Sequence, residues 1–206
     1  QPDIGQTLLI FLSWITLVFI SGVNLVVFLT FFGFTLIFLV YMVFKISKFE
    51  YIKNRILSFF NPETGTHNAQ AEKSVDGISS GGFFGKGIGE GTLKYKGSEV
   101  HTDFIISVIS EEFGVVIIIL ILIIFLFFIY SVFKKVSLEE NEKIKLVLVG
   151  SITLIVAQAL IHVGVNIRLF PTTGMTLPFL SYGGSSIIGV SILSGIILNL
   201  TKRKVS

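Results

Sequence analysis

The sequence predicts an all-α integral membrane protein, a polytopic helical bundle of about five transmembrane helices with a large extracytoplasmic loop. Hydrophobic residues make up 52% of the 206 positions and charged residues only 14%, and the mean hydropathy is +0.85. That balance lies far from the soluble norm. Apolar runs also recur near the roughly 20-residue length that a helix rising about 1.5 Å per residue needs to cross a ~30 Å hydrocarbon core. With 21 Phe in the chain, buried core helices of a soluble protein are a poor alternative.

The first run is Thr7 to Ile20 and the second Leu25 to Phe44, with Gly22 and Asn24 marking the tight turn between them. The third runs from Phe113 to Phe133, the fourth from Leu146 to about Val165, and the fifth from about Phe179 to Leu200. The chain therefore divides into two helices over 1–44, a polar insert over 45–102, and three helices over 103–206 with a broken segment at 168–186. The opening "QPDIGQ" has neither a basic stretch nor an initiating Met, so the chain is expected to be a piece of a longer one. With no cysteine, disulfides, thiolate catalysis and thiolate metal sites are excluded, and the net charge of +3 is uninformative.

Five spans put the insert on one side with the N-terminus and Arg168, and the Lys134 to Lys145 loop with the Lys202-Arg203-Lys204 tail on the other. The short basic loop and tail read as cytoplasmic and the insert as extracytoplasmic; Lys45, Lys48, Lys53 and Arg55 run against this, but long loops follow the rule poorly.

Within the insert, "KISKFEYIKNRILSFF" places Phe49, Ile52, Ile56 and Phe59 at helical intervals, the pattern of an interfacial amphipathic helix. A helix resting on lipid headgroups satisfies that spacing. A sharper reading has Arg55 and Lys53 facing an anionic headgroup such as a pyrophosphate. "SSGGFFGKGIGEG" fits neither nucleotide fingerprint, because Gly87 follows Lys86 where a Walker loop needs Ser or Thr, and Glu90 or Thr92 stands where a dinucleotide loop needs Gly. It reads as a flexible turn whose amides could cradle an anion, or as a plain loop.

If the third helix begins near Asp103 it is about 31 residues long, with Asp103, Ser107, Ser110, Glu111 and Gly114 on one polar stripe. Such a stripe is expected to face a wet cavity, since carboxylates against lipid are costly. Helix capping by Asp103 or Thr102 explains part of it equally well. In "RLFPTTGMTLPFLSYGGSS", Pro171, Gly174, Pro178, Gly183 and Gly184 cannot share an unbroken helix; irregular backbone in a membrane must be buried in protein or line a cavity, and a structural kink accounts for the segment equally well.

Four blocks together resemble the SEDS membrane glycosyltransferases of bacterial shape, elongation, division and sporulation: "QPDIGQ", "YIKNRILSFFNP", "GKGIGEGTLKYKGSEVHTDFIISVISEEFG" and "PTTGMTLPFLSYGGSS". The resemblance covers essentially the whole chain, which would form the C-terminal half of a ten-helix fold. It implies polymerisation of lipid II into peptidoglycan glycan strands outside the bacterial cytoplasmic (inner) membrane, with release of undecaprenyl pyrophosphate. A class B penicillin-binding protein, other division proteins, the growing glycan strand and membrane lipid are the implied partners; no nucleic acid, nucleotide or haem is expected. The family's essential aspartate maps onto Asp103, here hypothesised as general base, and its cavity border onto Asp3 and Tyr182 to Ser186. The substrate-binding set expected on this basis is Arg55, Lys53, Asp3, Lys86, Thr173, Ser181, Tyr182 and Ser185. Glu111 and Glu99 are expected to tune Asp103 or help hold a divalent cation, Mg or Mn.

The chain departs from the family pattern at Thr173, where division members usually have Lys, at Ser98, in place of a Pro before Glu99, and at His162, usually Asn. "TLKYK" and "GMTLPF" lean toward the division type and Thr173 away from it. A lipid II flippase or transporter, or a non-catalytic division scaffold, are the alternatives. A transporter should carry its polar groups at mid-membrane, whereas here they cluster at one face.

Overall fold

The computed structural model describes residues 3–60, 66–95 and 98–202, with backbone alone for Ile4, Lys48, residues 66–70, Ser98 and Glu99. The described residues form helices and connecting turns with no strand. Eight α-helices follow in order: α1 Ile4–Ile20, α2 Leu25–Lys45, α3 Glu50–Phe60, α4 Thr66–Gly81, α5 Ile105–Phe113, α6 Val115–Leu138, α7 Glu142–Asn166 and α8 Gly184–Thr201. Single turns of 3-10 helix at Ser47–Phe49, Leu93–Tyr95 and Ser98–His101 punctuate the insert.

Four of these, α2, α6, α7 and α8, are long and apolar enough to span a membrane. The first expected span falls in α1, whose 17 residues reach only about 25 Å. The chain turns at Ser21–Asn24, with Gly22 at φ 81°, before the helix gains more length. The fifth expected span likewise starts later, at Gly184, because Phe179 takes φ 67° and the Pro178–Gly183 stretch stays irregular.

The larger correction concerns the third span. It is two helices, because Gly114 at φ 82°, ψ 174° breaks the chain between α5 and α6, and a side chain there would strike the Phe83 carbonyl. The glycine-rich loop, read from sequence as flexible, braces this break. Lys86 N and Gly87 N donate to the Glu111 and Glu112 carbonyls (2.9 and 3.1 Å), while Val115 N and Val116 N donate to Gly82 and Phe83 (3.0 and 3.3 Å). The loop thus meets both backbone ends that the break leaves open.

α4 lies within the insert and was not foreseen. Its buried face is small, Ala71, Ser74, Gly77 and Gly81, which lets it sit tightly on α5. A Cβ on Gly77 would stand 2.7 Å from Leu93 Cδ2, and one on Gly81 would overlap the Ser110 carbonyl. The segment expected as an amphipathic helix forms the 3-10 turn Ser47–Phe49 followed by α3, with Phe49 in the turn and Ile52, Ile56 and Phe59 in the helix all half-buried.

α7 is the hub, packed on α1, α6 and α8, whereas α2 buries no residue. At one end of the bundle, Val132, Val136, Leu148, Val149, Ile155 and Ile197 form an apolar core. At the other, Leu9, Phe104, Ile161, Val165 and Met175 cluster beneath the insert and the 171–183 segment. Asp3, the insert and the 171–183 segment share this second end, and Lys135 and Lys202 line a cleft at the first.

Candidate functional site

The stretch His101 to Phe104 is a turn held from four directions. The His101 carbonyl accepts from Tyr182 N (3.2 Å), the Thr102 carbonyl from Ser181 Oγ (2.7 Å), and the Asp103 carbonyl from Asn166 Nδ2 (3.0 Å). Phe104 supplies the fourth hold, its ring buried in the cluster of Leu9, Ile161, Val165 and Met175. An irregular turn leaves its carbonyls without internal partners, and in an apolar surround each needs one. The surrounding elements provide one each. Asp103 is left half-exposed, and a Cβ built on Gly174 would stand 3.6 Å from its Oδ2. The carboxylate therefore faces the broken segment across a glycine whose φ of 69° suits no other residue well.

Asp3 and the 171–176 segment meet this turn through α1. Asp3 caps α1, its Oδ1 accepting from Gln6 N (3.0 Å), and a Cβ on Gly5 would lie 3.0 Å from the Thr173 carbonyl and 2.7 Å from Met175 Sδ. The sequence blocks around Asp3, Asp103 and Thr173 are thereby brought together. The Thr172 and Thr173 hydroxyls are buried there without a partner among the described residues. Tyr182 and Ser185 are exposed above the turn, but Ser181 is buried, donating to Thr102 and accepting from Leu177 N (2.7 Å), so it builds the site and does not face it. α5 begins directly after this turn, with Phe104 at its N-cap position.

The remaining candidates lie elsewhere. Ser107, Ser110 and Glu111, expected to face a wet cavity, are buried against the insert. Glu111 is saturated: Oε1 accepts from Lys86 Nζ (2.8 Å) and Thr92 Oγ1 (3.2 Å), and Oε2 from Leu93 N (2.8 Å). Burial alone would raise its pKa, but the Lys86 contact and the Leu93 and Thr92 hydrogen bonds outweigh it and hold the group at about 2. Lys86, expected to bind substrate, is the partner of that carboxylate. One residue on, Glu112 pairs with Lys94 at 2.8 Å, which lowers the acid and raises the amine. Glu111 and Lys86 together pin the glycine-rich loop to α5. Arg55 on α3 stacks over Tyr51 at 5.0 Å, and its Nε is buried without a partner among the described residues. Lys53 is half-buried on the same helix, and the Glu99 side chain lies outside the described residues.

Among the described residues no three His, Asp or Glu side chains converge, and Glu111 has no oxygen to offer. Among the described residues, therefore, Glu111 is engaged by the insert, and the side chain of Glu99, the other residue expected at a Mg or Mn site, lies outside them.

Sequence reasoning missed a polar ladder on α7. Gln158 Nε2 donates to the Thr176 carbonyl (2.9 Å), Thr176 Oγ1 (3.0 Å) and Ser186 Oγ (3.0 Å). One turn on, His162 Nδ1 bonds the Met175 carbonyl at 2.7 Å. One turn further, Asn166 reaches Asp103. The spacing i, i+4, i+8 puts all three on one face, and three polar residues at that interval in an apolar helix were the available signal.

A half-exposed carboxylate on a clamped turn, at one end of a bundle of apolar helices, defines a polytopic membrane protein with a polar site near one membrane face. The chain belongs to the FtsW/RodA/SpoVE family of cell cycle proteins, which it matches over residues 1–205. It is similar to the probable peptidoglycan glycosyltransferase FtsW of Caulobacter vibrioides (34% identity, 99% of this chain, 51% of the relative) and of Buchnera aphidicola (37%, 97% and 53%). It also matches a chain solved in a study of how polymerization and crosslinking are coordinated by a peptidoglycan synthase complex, with a TM-score of 0.79 at 27% identity, over 98% of this chain and 56% of that one. The chain spans about half the length of the curated relatives it matches.

Proposed function

We propose that this chain forms part of a peptidoglycan glycosyltransferase that polymerises lipid II, with Asp103 as its catalytic base. The observation that carries the reading is the placement of Asp103, whose backbone turn is fixed by Tyr182, Ser181 and Asn166 while its carboxylate faces Gly174. In the reaction, an acceptor sugar hydroxyl attacks the anomeric carbon of the donor. A new glycosidic bond forms, the bond from that carbon to the diphosphate oxygen breaks, and undecaprenyl pyrophosphate leaves with the electron pair. Asp103 takes the hydroxyl proton. Tyr182 and Ser185, exposed above the turn, are hydrogen-bonding groups for the sugars, and Arg55 with Lys53 are the cations offered to the diphosphate; Lys86 is not, because Glu111 holds it.

The site end faces outward from the bacterial cytoplasmic membrane, and the end bearing Lys135, Lys143, Lys145 and Lys202 faces the cytoplasm. The partner is a class B penicillin-binding protein that crosslinks the product. The decisive experiment is elongation of labelled lipid II by the full-length protein with that partner. Asp103→Asn keeps size and removes the base, so a folded, membrane-inserted protein is expected to lose about 10²- to 10⁴-fold in rate. Near-wild-type glycan synthesis by that variant would remove the catalytic assignment.

A further inference from the structure

We propose that Asn166 is the positioning residue for Asp103, an inference that rests on the reading of Asp103 as the base. The Asn166 amide is tied on both sides. Nδ2 donates to the Asp103 carbonyl (3.0 Å) and to the His162 carbonyl one turn back (2.9 Å), and Oδ1 accepts from Ser107 Oγ (2.8 Å), with Ser74 Oγ 3.3 Å away. Two donors facing two carbonyls and one oxygen facing two hydroxyls fix which way the amide points, so it has no second orientation of equal quality. Asn166, Ser74 and Ser107 are all fully buried. The one Ser74 proton is shared among Asn166 Oδ1, the Asn166 backbone carbonyl (3.1 Å) and Ser107 Oγ, so α4, α5 and α7 meet around this one side chain.

The amide thereby sets the height of the Asp103 turn relative to α7. The other lip of the site is set from the same helix face, by His162 through the Met175 carbonyl next to Gly174. Asn166 and His162 together fix the separation between the carboxylate and the 172–176 segment. Asn166 stands behind the turn, on its backbone side, and so acts through Asp103 and not on substrate.

A residue of this kind should affect turnover and not substrate affinity. A misplacement of about 1 Å at a reacting group can cost on the order of 10²-fold in rate. Asn166→Asp keeps the shape but turns the two donors into an acceptor facing two carbonyls. In the full-length protein with its partner, kcat for lipid II polymerisation is expected to fall about 10- to 100-fold with KM within about twofold. Leu148→Ala, a buried change at the other end of α7, serves as the stability control: it lowers the melting temperature and leaves kcat unchanged at a permissive temperature. Wild-type kcat in Asn166→Asp, a loss expressed in KM, or an equal kcat loss in Leu148→Ala at matched stability would each overturn the proposal. If Asn166→Asp does not accumulate in the membrane, Ser107→Ala loosens the same amide from its other side. A severalfold kcat loss at constant KM then supports the proposal, and unchanged kcat overturns it. Full activity in Asp103→Asn would instead sink the underlying assignment, while an inactive Asp103→Asn beside a wild-type Asn166→Asp would sink only the positioning role.

Discussion

Along α7, residues 148 to 155 bury Leu148, Val149 and Ile155 against Val132, Val136 and Ile197, whereas residues 158 to 166 bury Gln158, His162 and Asn166 against irregular chain. The neighbours explain the difference. Beside the first half stand α6 and α8, helices whose backbone groups are satisfied within themselves, so only shape has to match. Beside the second half run the 101–104 turn and the 171–183 segment, whose carbonyls face outward and require donors. Apart from the buried Ser151, the helix is thus apolar where its neighbours are regular, and it adds Gln158, His162 and Asn166 to the apolar Ile161 and Val165 where they are not. The polar half is where the candidate site is built.

The sharpest test of this contrast is Ile155→Ala, in the apolar half. Ile155 is fully buried, and truncation there should cost about 2 to 5 kcal/mol from lost contacts and the residual cavity. The cost should appear as a lower melting temperature in detergent, with no change in the pH dependence of activity. A changed pH profile would mean that the two halves are not separable.

Acid should act on the other end alone. Glu111 has a pKa of about 2, below its ordinary 4.5, so its stabilising contribution is complete above 4.5, declines as pH falls, and is gone below about 2. The shift corresponds to about 3 kcal/mol, since each unit is worth about 1.4 kcal/mol and the side chain is only 2% exposed. Hydrogen exchange should therefore rise in the 82–93 loop and α5 as pH drops from 5 toward 3, with the α6–α7–α8 core unaffected, and Glu111→Gln should reduce that pH dependence to what the Glu112–Lys94 pair contributes. Uniform acid loosening of the whole bundle would contradict the picture of a locally pinned loop.

What the sequence reveals and conceals follows the same division. The apolar helices are legible because lipid imposes a length and a composition, and Leu25–Lys45 and Val115–Leu138 fall close to where hydropathy puts them. Asp103 and the 168–186 break are legible because a carboxylate and clustered Pro and Gly are anomalies in such a chain. The break at Gly114 is not, since a glycine inside an apolar run is ordinary in membrane helices. α4 is hidden because its interface is made of small residues, Ser74, Gly77 and Gly81, which carry no hydrophobic periodicity. Glu111 and Lys86 read from sequence as groups of the site; that they face each other across 25 residues of chain is a tertiary fact.

The mildest test compares residues three positions apart. Gln158→Ala, next to Ile155 on α7, removes a donor that serves the Thr176 carbonyl, Thr176 Oγ1 and Ser186 Oγ together. Thr176 Oγ1 can still donate to Ser186 Oγ (2.7 Å), so one bond of that cluster survives and the loss centres on the Thr176 carbonyl. Leaving one buried carbonyl unmet costs about 1 to 3 kcal/mol, less than the upper end expected for Ile155→Ala. The location of the effect matters more than its size. Exchange should rise across 172–186, where the segment loses its tie to α7, and stay unchanged in α6 and in Leu148 to Ile155. If Gln158→Ala instead lowered protection evenly along α7, as a cavity in a packed core would, the polar ladder would be ordinary packing and the contrast between the two halves would fail.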